Sequence, residues 1–208
     1  MLKHLCFEER WNVYSHSLGA IFSLIGIIYI FQLYPPKSFS ASIGLIVYGS
    51  SILFLFLAST IYHSAKNEKK AFWQKIDHIG IYFLIAGTYT PVTLTILKDS
   101  SGNIILFSVW TIAFIGIIYK LLYINKFQNF SLILYLSMGW LILIDFKNII
   151  VLFSKDEFFF LTFGGFFYTF GTIFYRWQKL YLNHLIWHLF VILGAGSHLV
   201  MIAKIYSD

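Results

Sequence analysis

Long stretches without Asp, Glu, Lys or Arg recur along the whole of this sequence. There are seven of them, each between 18 and 28 residues long. A helix that crosses the hydrocarbon core of a bilayer needs about 20 apolar residues, within a range of roughly 17 to 25. The stretches therefore predict seven transmembrane helices. Their apolar residues occupy consecutive positions and do not alternate with polar ones, which excludes a transmembrane β-barrel. The predicted spans are 11–36, 38–65, 78–97, 100–119, 127–144, 158–175 and 180–203.

The overall composition also indicates a membrane protein. Charged residues make up 12% of the chain and hydrophobic residues 59%, with a mean hydropathy of +0.76. A soluble domain carries about 25% charged residues, so this chain has too few to cover a surface in water. The composition excludes a water-soluble enzyme and a disordered chain. We therefore expect one all-α, polytopic membrane domain over residues 1–208.

The basic residues predict which side of the membrane each loop faces. Lys and Arg concentrate in cytoplasmic loops, and an odd number of spans places the two termini on opposite sides. A cytoplasmic amino terminus leaves ten basic residues inside and five outside, so we expect that orientation. These residues form no single patch, so nucleic-acid binding is not expected. The inner set is Lys3, Arg10, Lys66, Lys69, Lys70, Lys75, Lys120, Lys126, Arg176 and Lys179, and the outer set is Lys37, Lys98, Lys147, Lys155 and Lys204.

The few ionisable side chains within the predicted spans gather at the inner leaflet. Such residues are costly in a bilayer and usually mark function. Helix two ends inside with Ser59 and His63, and helix three begins there with Asp77. Helix seven starts inside with His184 and His188, and helix one contributes Glu9, Asn12 and His16. Four separate segments are therefore predicted to meet at one end of the molecule.

Helical spacing indicates which of these groups can act together. His184 and His188 are four residues apart, which puts both imidazoles on one helix face within about 6 Å along the axis. With His63 they can supply three nitrogen ligands, and three histidines plus a water form a catalytic Zn²⁺ site. Asp77 is a natural partner for that water. His198 lies about 15 Å deeper than His188, too far to join the same ligand set.

Each of these residues also has a structural interpretation. A histidine near a helix end can be an interfacial hydrogen-bonding group, and Asp77 can be a cap that interacts with the helix dipole. Glu9, Asn12 and His16 can support the site or anchor helix one at the interface. His198 can be a buried hydrogen-bonding group, a relay or a cavity residue.

Several short segments together resemble a known family over essentially the whole chain. The segments are Glu9-Arg10-Trp11-Asn12, Ser15-His16, Ser59 to His63, Asp77-His78, Ala86-Gly87-Thr88-Tyr89-Thr90-Pro91, Phe167-Tyr168-Thr169, His184 to Phe190, and His198. Their combination is similar to the bacterial hemolysin III branch of the progestin and adipoQ receptor (PAQR, adiponectin-receptor-like) family. The resemblance implies a seven-helix protein of the cell (inner) membrane with an inner zinc site. It implies His63, His184 and His188 as ligands, with Ser59 and Asp77 beside them.

Two classes of function follow from these observations. The preferred one is a zinc-dependent hydrolase of a membrane lipid amide or ester, since the wider superfamily includes alkaline ceramidases and bacterial members are linked to lipid homeostasis. Asp77 would then deprotonate the attacking water, and Ser59 would stabilise the oxyanion. The alternative is a pore-forming cytolysin, or a non-enzymatic sensor of the membrane state in which zinc is structural.

Overall fold

The computed structural model describes residues 5–123 and 128–207, and the regular structure in these two ranges is entirely helical. The elements are α1 (Phe7–Leu33), α2 (Phe39–Ser64), α3 (Asn67–Leu94), α4 (Gly102–Tyr123), α5 (Gln128–Gly139), a 3₁₀ helix (Leu141–Asp145), α6 (Phe146–Leu152), α7 (Lys155–Arg176) and α8 (Asn183–Ser207). Lys3, Lys126 and residue 127, which enter the orientation and span predictions, lie outside the described residues.

Six helical segments of the described chain are long and apolar enough to cross a membrane. They are Phe7–Leu33, Phe39–Ser64, Gly102–Tyr123, Asn129–Leu152, Lys155–Arg176 and Asn183–Ser207. Large apolar side chains such as Phe22, Phe39 and Phe107 lie exposed on their outer surfaces, where lipid would cover them. The fold is therefore that of a multi-pass integral membrane protein, as the uncharged stretches predicted.

The remaining long helix, α3, begins earlier than predicted and is more polar. It starts at Asn67 rather than near Asp77, and its first turns carry Glu68, Lys69 and Lys70. Asp77 consequently lies well inside the helix and is buried. The dipole effect is confined to the first turn, so the interpretation of Asp77 as a helix cap is wrong.

The position of α3 explains its polarity. It packs against α2 and α4 and also contacts α5 and α8, so it lies in the middle of the bundle. Its second half is almost completely buried, including Tyr82 and Leu84. A Cβ at Gly87 would overlap the Ser51 side chain of α2, which shows how closely these two helices approach. A helix surrounded by other helices needs no apolar surface toward lipid.

The other helices enclose α3 incompletely. α1 packs between α2 and α8, and α8 packs along α7, whereas α5 and α7 barely touch. The membrane-length segment Asn129–Leu152 is also broken, because α5 ends at Gly139 and a 3₁₀ helix follows. The Tyr89 hydroxyl of α3 donates to the carbonyl of Gly139 (2.8 Å) and accepts from the backbone N–H of Ile142 (3.0 Å). These bonds satisfy backbone groups that the break exposes at membrane depth.

Candidate metal centre

Three histidines from two helices meet at one end of the bundle. His63 lies in the last turn of α2, and His184 and His188 lie in the first two turns of α8. One ring nitrogen of each lies within 4.8 Å of the others. His63 and His188 are buried, and His184 is half-buried. This group can hold a metal ion, as the spacing of the histidines predicted.

The neighbours of His63 fix which of its nitrogens is free. Its Nδ1 pairs with the Glu9 carboxylate, which also receives Lys70 Nζ. A carboxylate only accepts hydrogen bonds, so Nδ1 carries a proton, and in the neutral ring Nε2 has the lone pair that a metal ion needs. That Nε2, like Nε2 of His184, is buried with no hydrogen-bond partner anywhere in the described chain. Buried polar atoms are normally paired, and a metal ion would satisfy both of these.

His188 is oriented by a residue that the sequence did not single out for the site. The Ser15 hydroxyl of α1 donates to the carbonyl of Asn12 (3.0 Å) and lies 3.3 Å from Nδ1 of His188. Since the one hydroxyl proton is already used, Ser15 accepts from Nδ1–H of His188, and Nε2 again keeps its lone pair. Such a second partner commonly orients a metal-binding histidine. The available signals were that Ser15 lies one helical turn after Asn12 and that the segment Ser15-His16 is part of the family resemblance.

His16 and Asn12 pack beside the histidine cluster rather than within it. The His16 ring stacks on that of His188, with centroids 3.6 Å apart and planes 15° from parallel. Both side chains are buried. The His16 ring thus covers one face of the His188 ring from the α1 side, and the Asn12 carbonyl accepts from the Ser15 hydroxyl that contacts His188.

Ser59 and Asp77 lie next to the cluster on α2 and α3. Ser59 is one turn before His63 and completely buried, and Asp77 lies near both Ser59 and His63. The Ser59 hydroxyl makes no hydrogen bond of good geometry to the residues that the structure describes. A hydroxyl and a carboxylate thus lie close to each other beside the histidines.

A large cavity starts at this cluster and runs into the bundle. Its volume is about 200 Å³ for the centre of a water-sized sphere, and it lies between α3, the segment from α5 to α6, α7 and α8. His16, Ser59, Asp77, His184 and His188 line one end of it, and His198 lies in the wall further along. Most of the remaining lining is apolar, including Leu84, Val92 and Met201. His198 is not part of the three-histidine group, as its depth predicted.

Fold and site together define a multi-pass helical membrane protein with a buried three-histidine centre at the end of an apolar cavity. The chain belongs to the haemolysin-III-related family, whose model matches residues 5–199. It is 40% identical to Hemolysin-3 of Bacillus cereus over 191 residues, covering 91% of this chain and 87% of the relative. It is 38% identical to the Hemolysin-3 homolog of Bacillus subtilis (strain 168), covering 91% and 90%. The Homo sapiens Monocyte to macrophage differentiation factor is 29% identical, with 97% and 86% covered.

The Glu9–His63 contact gives a first testable prediction. Replacing Glu9 with glutamine removes the carboxylate charge beside His63 and leaves one neutral acceptor oxygen in place of two, and we expect metal affinity to fall roughly 10- to 100-fold. The measurement is competition for the metal against a chromophoric chelator in detergent. Glu8→Gln is the matched control, because it changes the adjacent carboxylate and should leave the affinity unchanged. Equal affinities for Glu9→Gln and the unchanged protein would show that the carboxylate charge of Glu9 does not contribute to metal binding.

Proposed function

We propose that this protein is a zinc-dependent hydrolase of a membrane lipid amide or ester. The observation that carries the proposal is that the histidine cluster, Asp77 and Ser59 adjoin one long, mainly apolar cavity. Imidazole nitrogens suit zinc, whereas magnesium and calcium require oxygen ligands. The cavity gives the apolar part of a lipid a place beside groups that can hydrolyse it.

The residues at the inner end of the cavity would divide the chemistry between them. Bound zinc would supply an activated water and polarise the substrate carbonyl. Asp77 would accept a proton from the attacking water and return it to the departing amine or alcohol. Ser59 would donate its hydroxyl proton to the carbonyl oxygen as negative charge develops there. His16, Asn12 and Glu9 would keep the ligands in place.

The open side of the bundle supports a lipid as the substrate. Because α5 and α7 barely touch, the cavity wall has few helix–helix contacts between these two helices, on the side that would face the acyl chains of the bilayer. A substrate could enter there without leaving the membrane, with its scissile bond near the headgroup level. Such an activity would change lipid composition, and we therefore propose a role in membrane lipid homeostasis.

The second candidate class comes from the names of the bacterial relatives. Two of them are called hemolysins, which favours a pore-forming cytolysin, and a membrane-state sensor with structural zinc is the related non-enzymatic alternative. A pore needs a polar path through the bilayer. Here the cavity is polar chiefly at the histidine end and is otherwise mainly apolar, which weighs against a channel through one subunit.

We also propose that α3 crosses the membrane as a seventh span, with the amino terminus in the cytoplasm and the carboxyl terminus outside the cell membrane. α3 has 28 residues, enough to cross, and its neighbours on both sides are apolar helices. Cys6 is exposed and is the only cysteine. An impermeant maleimide should label it in inverted vesicles but not in intact cells. A Cys6→Ser, Ser207→Cys protein should behave in the opposite way, and labelling on one side for both would exclude seven spans.

The hydrolase proposal is tested with purified protein in liposomes that contain ceramides and ester lipids. We expect release of free fatty acid, which stops when a chelator removes the metal and returns on adding Zn²⁺. Mass spectrometry of the lipid products provides the measurement. Metal-independent leakage of an enclosed dye, with no lipid product, would contradict the hydrolase and support the cytolysin.

A further inference from the structure

The cavity has a second polar position far from the histidine cluster. His198 of α8 and Tyr168 of α7 both line it, with ring centroids 5.5 Å apart. His198 lies ten residues beyond His188 on the same helix, which places it about 15 Å further along the axis. The rest of the cavity lining is mainly apolar, with Leu161 and Met201 among its members, and it also includes Thr162 and Thr169 of α7. Two polar side chains in such a place need an explanation.

The hydrogen bonds of His198 identify what its free nitrogen can accept. Its Nε2 lies 3.3 Å from the backbone carbonyl of Leu161. A carbonyl only accepts, so Nε2 carries the proton and Nδ1 of the neutral ring is an acceptor. This Nδ1 is buried and has no partner within residues 5–123 and 128–207. The site therefore lacks one hydrogen-bond donor.

Tyr168 offers a complementary group. Its hydroxyl is also buried without a partner in the described part of the chain. The ring is held against α8 at Gly194, and the His198 ring is held against α7 at Gly164, where a Cβ would overlap either ring. Both rings are thus packed closely against the neighbouring helix. A ligand hydroxyl could donate to Nδ1 of His198 and accept from the Tyr168 O–H.

We propose that Tyr168 and His198 form a recognition site for a hydroxyl group carried partway along a lipid acyl chain. The chain would lie in the apolar cavity with its carbonyl at the histidine cluster and its hydroxyl at this site. Orienting the chain in this way rests on the proposed function. Binding at the site itself does not, because it requires neither hydrolysis nor metal. The ligand class is a hydroxylated fatty acid or a lipid that carries one.

The test compares three free fatty acids that displace a fluorescent fatty acid from the purified full-length protein. They are stearic acid and its derivatives with a hydroxyl at the second or the twelfth carbon. We expect the twelfth-carbon derivative to bind roughly tenfold more tightly than stearic acid, from two added hydrogen bonds in an apolar site. The second-carbon derivative should gain less, because its hydroxyl lies near the carboxylate. Equal affinities for all three acids would overturn the proposal.

Variants assign the preference to the two side chains. Tyr168→Phe, which removes only the hydroxyl oxygen, and His198→Leu should bring the affinity ratio close to one while stearic acid still binds. Tyr89→Phe is the matched control, because Tyr89 lines the cavity but its hydroxyl is already satisfied by Gly139 and Ile142. An unchanged ratio in Tyr168→Phe would overturn the assignment even if His198→Leu does not fold. A preserved preference without lipid hydrolysis would instead contradict the proposed function alone.

Discussion

Replacing His184 with alanine is expected to abolish stable metal binding. The purified protein should contain about one zinc ion per chain, and the variant almost none. Second partners of ligands alone contribute roughly 10- to 100-fold to metal affinity, so loss of one of three protein ligands should exceed that range. Elemental analysis after gel filtration gives the metal content and identifies the metal. Lipid hydrolysis should disappear with it, since the water would no longer be activated.

A matched variant separates the loss of a ligand from the loss of an imidazole. His198→Ala removes a histidine from the same helix and the same cavity, but His198 lies outside the three-histidine group. It should retain the metal. Thermal unfolding with and without chelator adds a second measurement, because a metal that binds the folded state raises its stability. A His184→Ala protein with stoichiometric zinc would show that the ligand assignment is wrong.

The positions of the helices were predictable because lipid excludes charge. Six of the seven uncharged stretches correspond to helices apolar enough to cross a membrane, and the crossing of α3 stays a prediction. The start of α3 was not predictable from the gaps, because Glu68, Lys69 and Lys70 belong to the helix itself. The break after Gly139 depends on the Tyr89 hydroxyl of another helix. The sequence around Gly139 alone therefore could not predict the break.

The candidate site also has features that the sequence predicts and features that depend on contacts between distant residues. The interval between His184 and His188 is a property of one helix, so it predicted their common face, and the predicted ends of the spans placed His63 at the same end of the molecule. The partners of the imidazoles are long-range contacts. Glu9 was placed near the site by its position on α1, but its bond to His63 was not foreseen. Ser15 was missed as a site residue because its partner, His188, lies on α8.

Replacing Asp77 with asparagine is the variant that distinguishes a catalytic centre from a structural one. The substitution keeps the size of the side chain and removes the group that would accept the proton, so we expect kcat for lipid hydrolysis to fall roughly 10²- to 10⁴-fold. Metal content should stay unchanged, because the three histidines remain. The measurement is product release by mass spectrometry at saturating substrate, paired with elemental analysis of the same sample.

Asp145→Asn provides the matched control. Asp145 is also a buried aspartate, but it accepts from the Ser101 N–H and from Asn148 and does not line the cavity. It should hydrolyse lipid at the normal rate. Full activity in Asp77→Asn would show that Asp77 is not the proton acceptor in the reaction.

A cytolysin predicts a different pattern, in which Asp77→Asn and His188→Ala both leave single-channel conductance in planar bilayers unchanged. The same two variants thus separate a lipid hydrolase, which loses its product, from a pore that keeps its current.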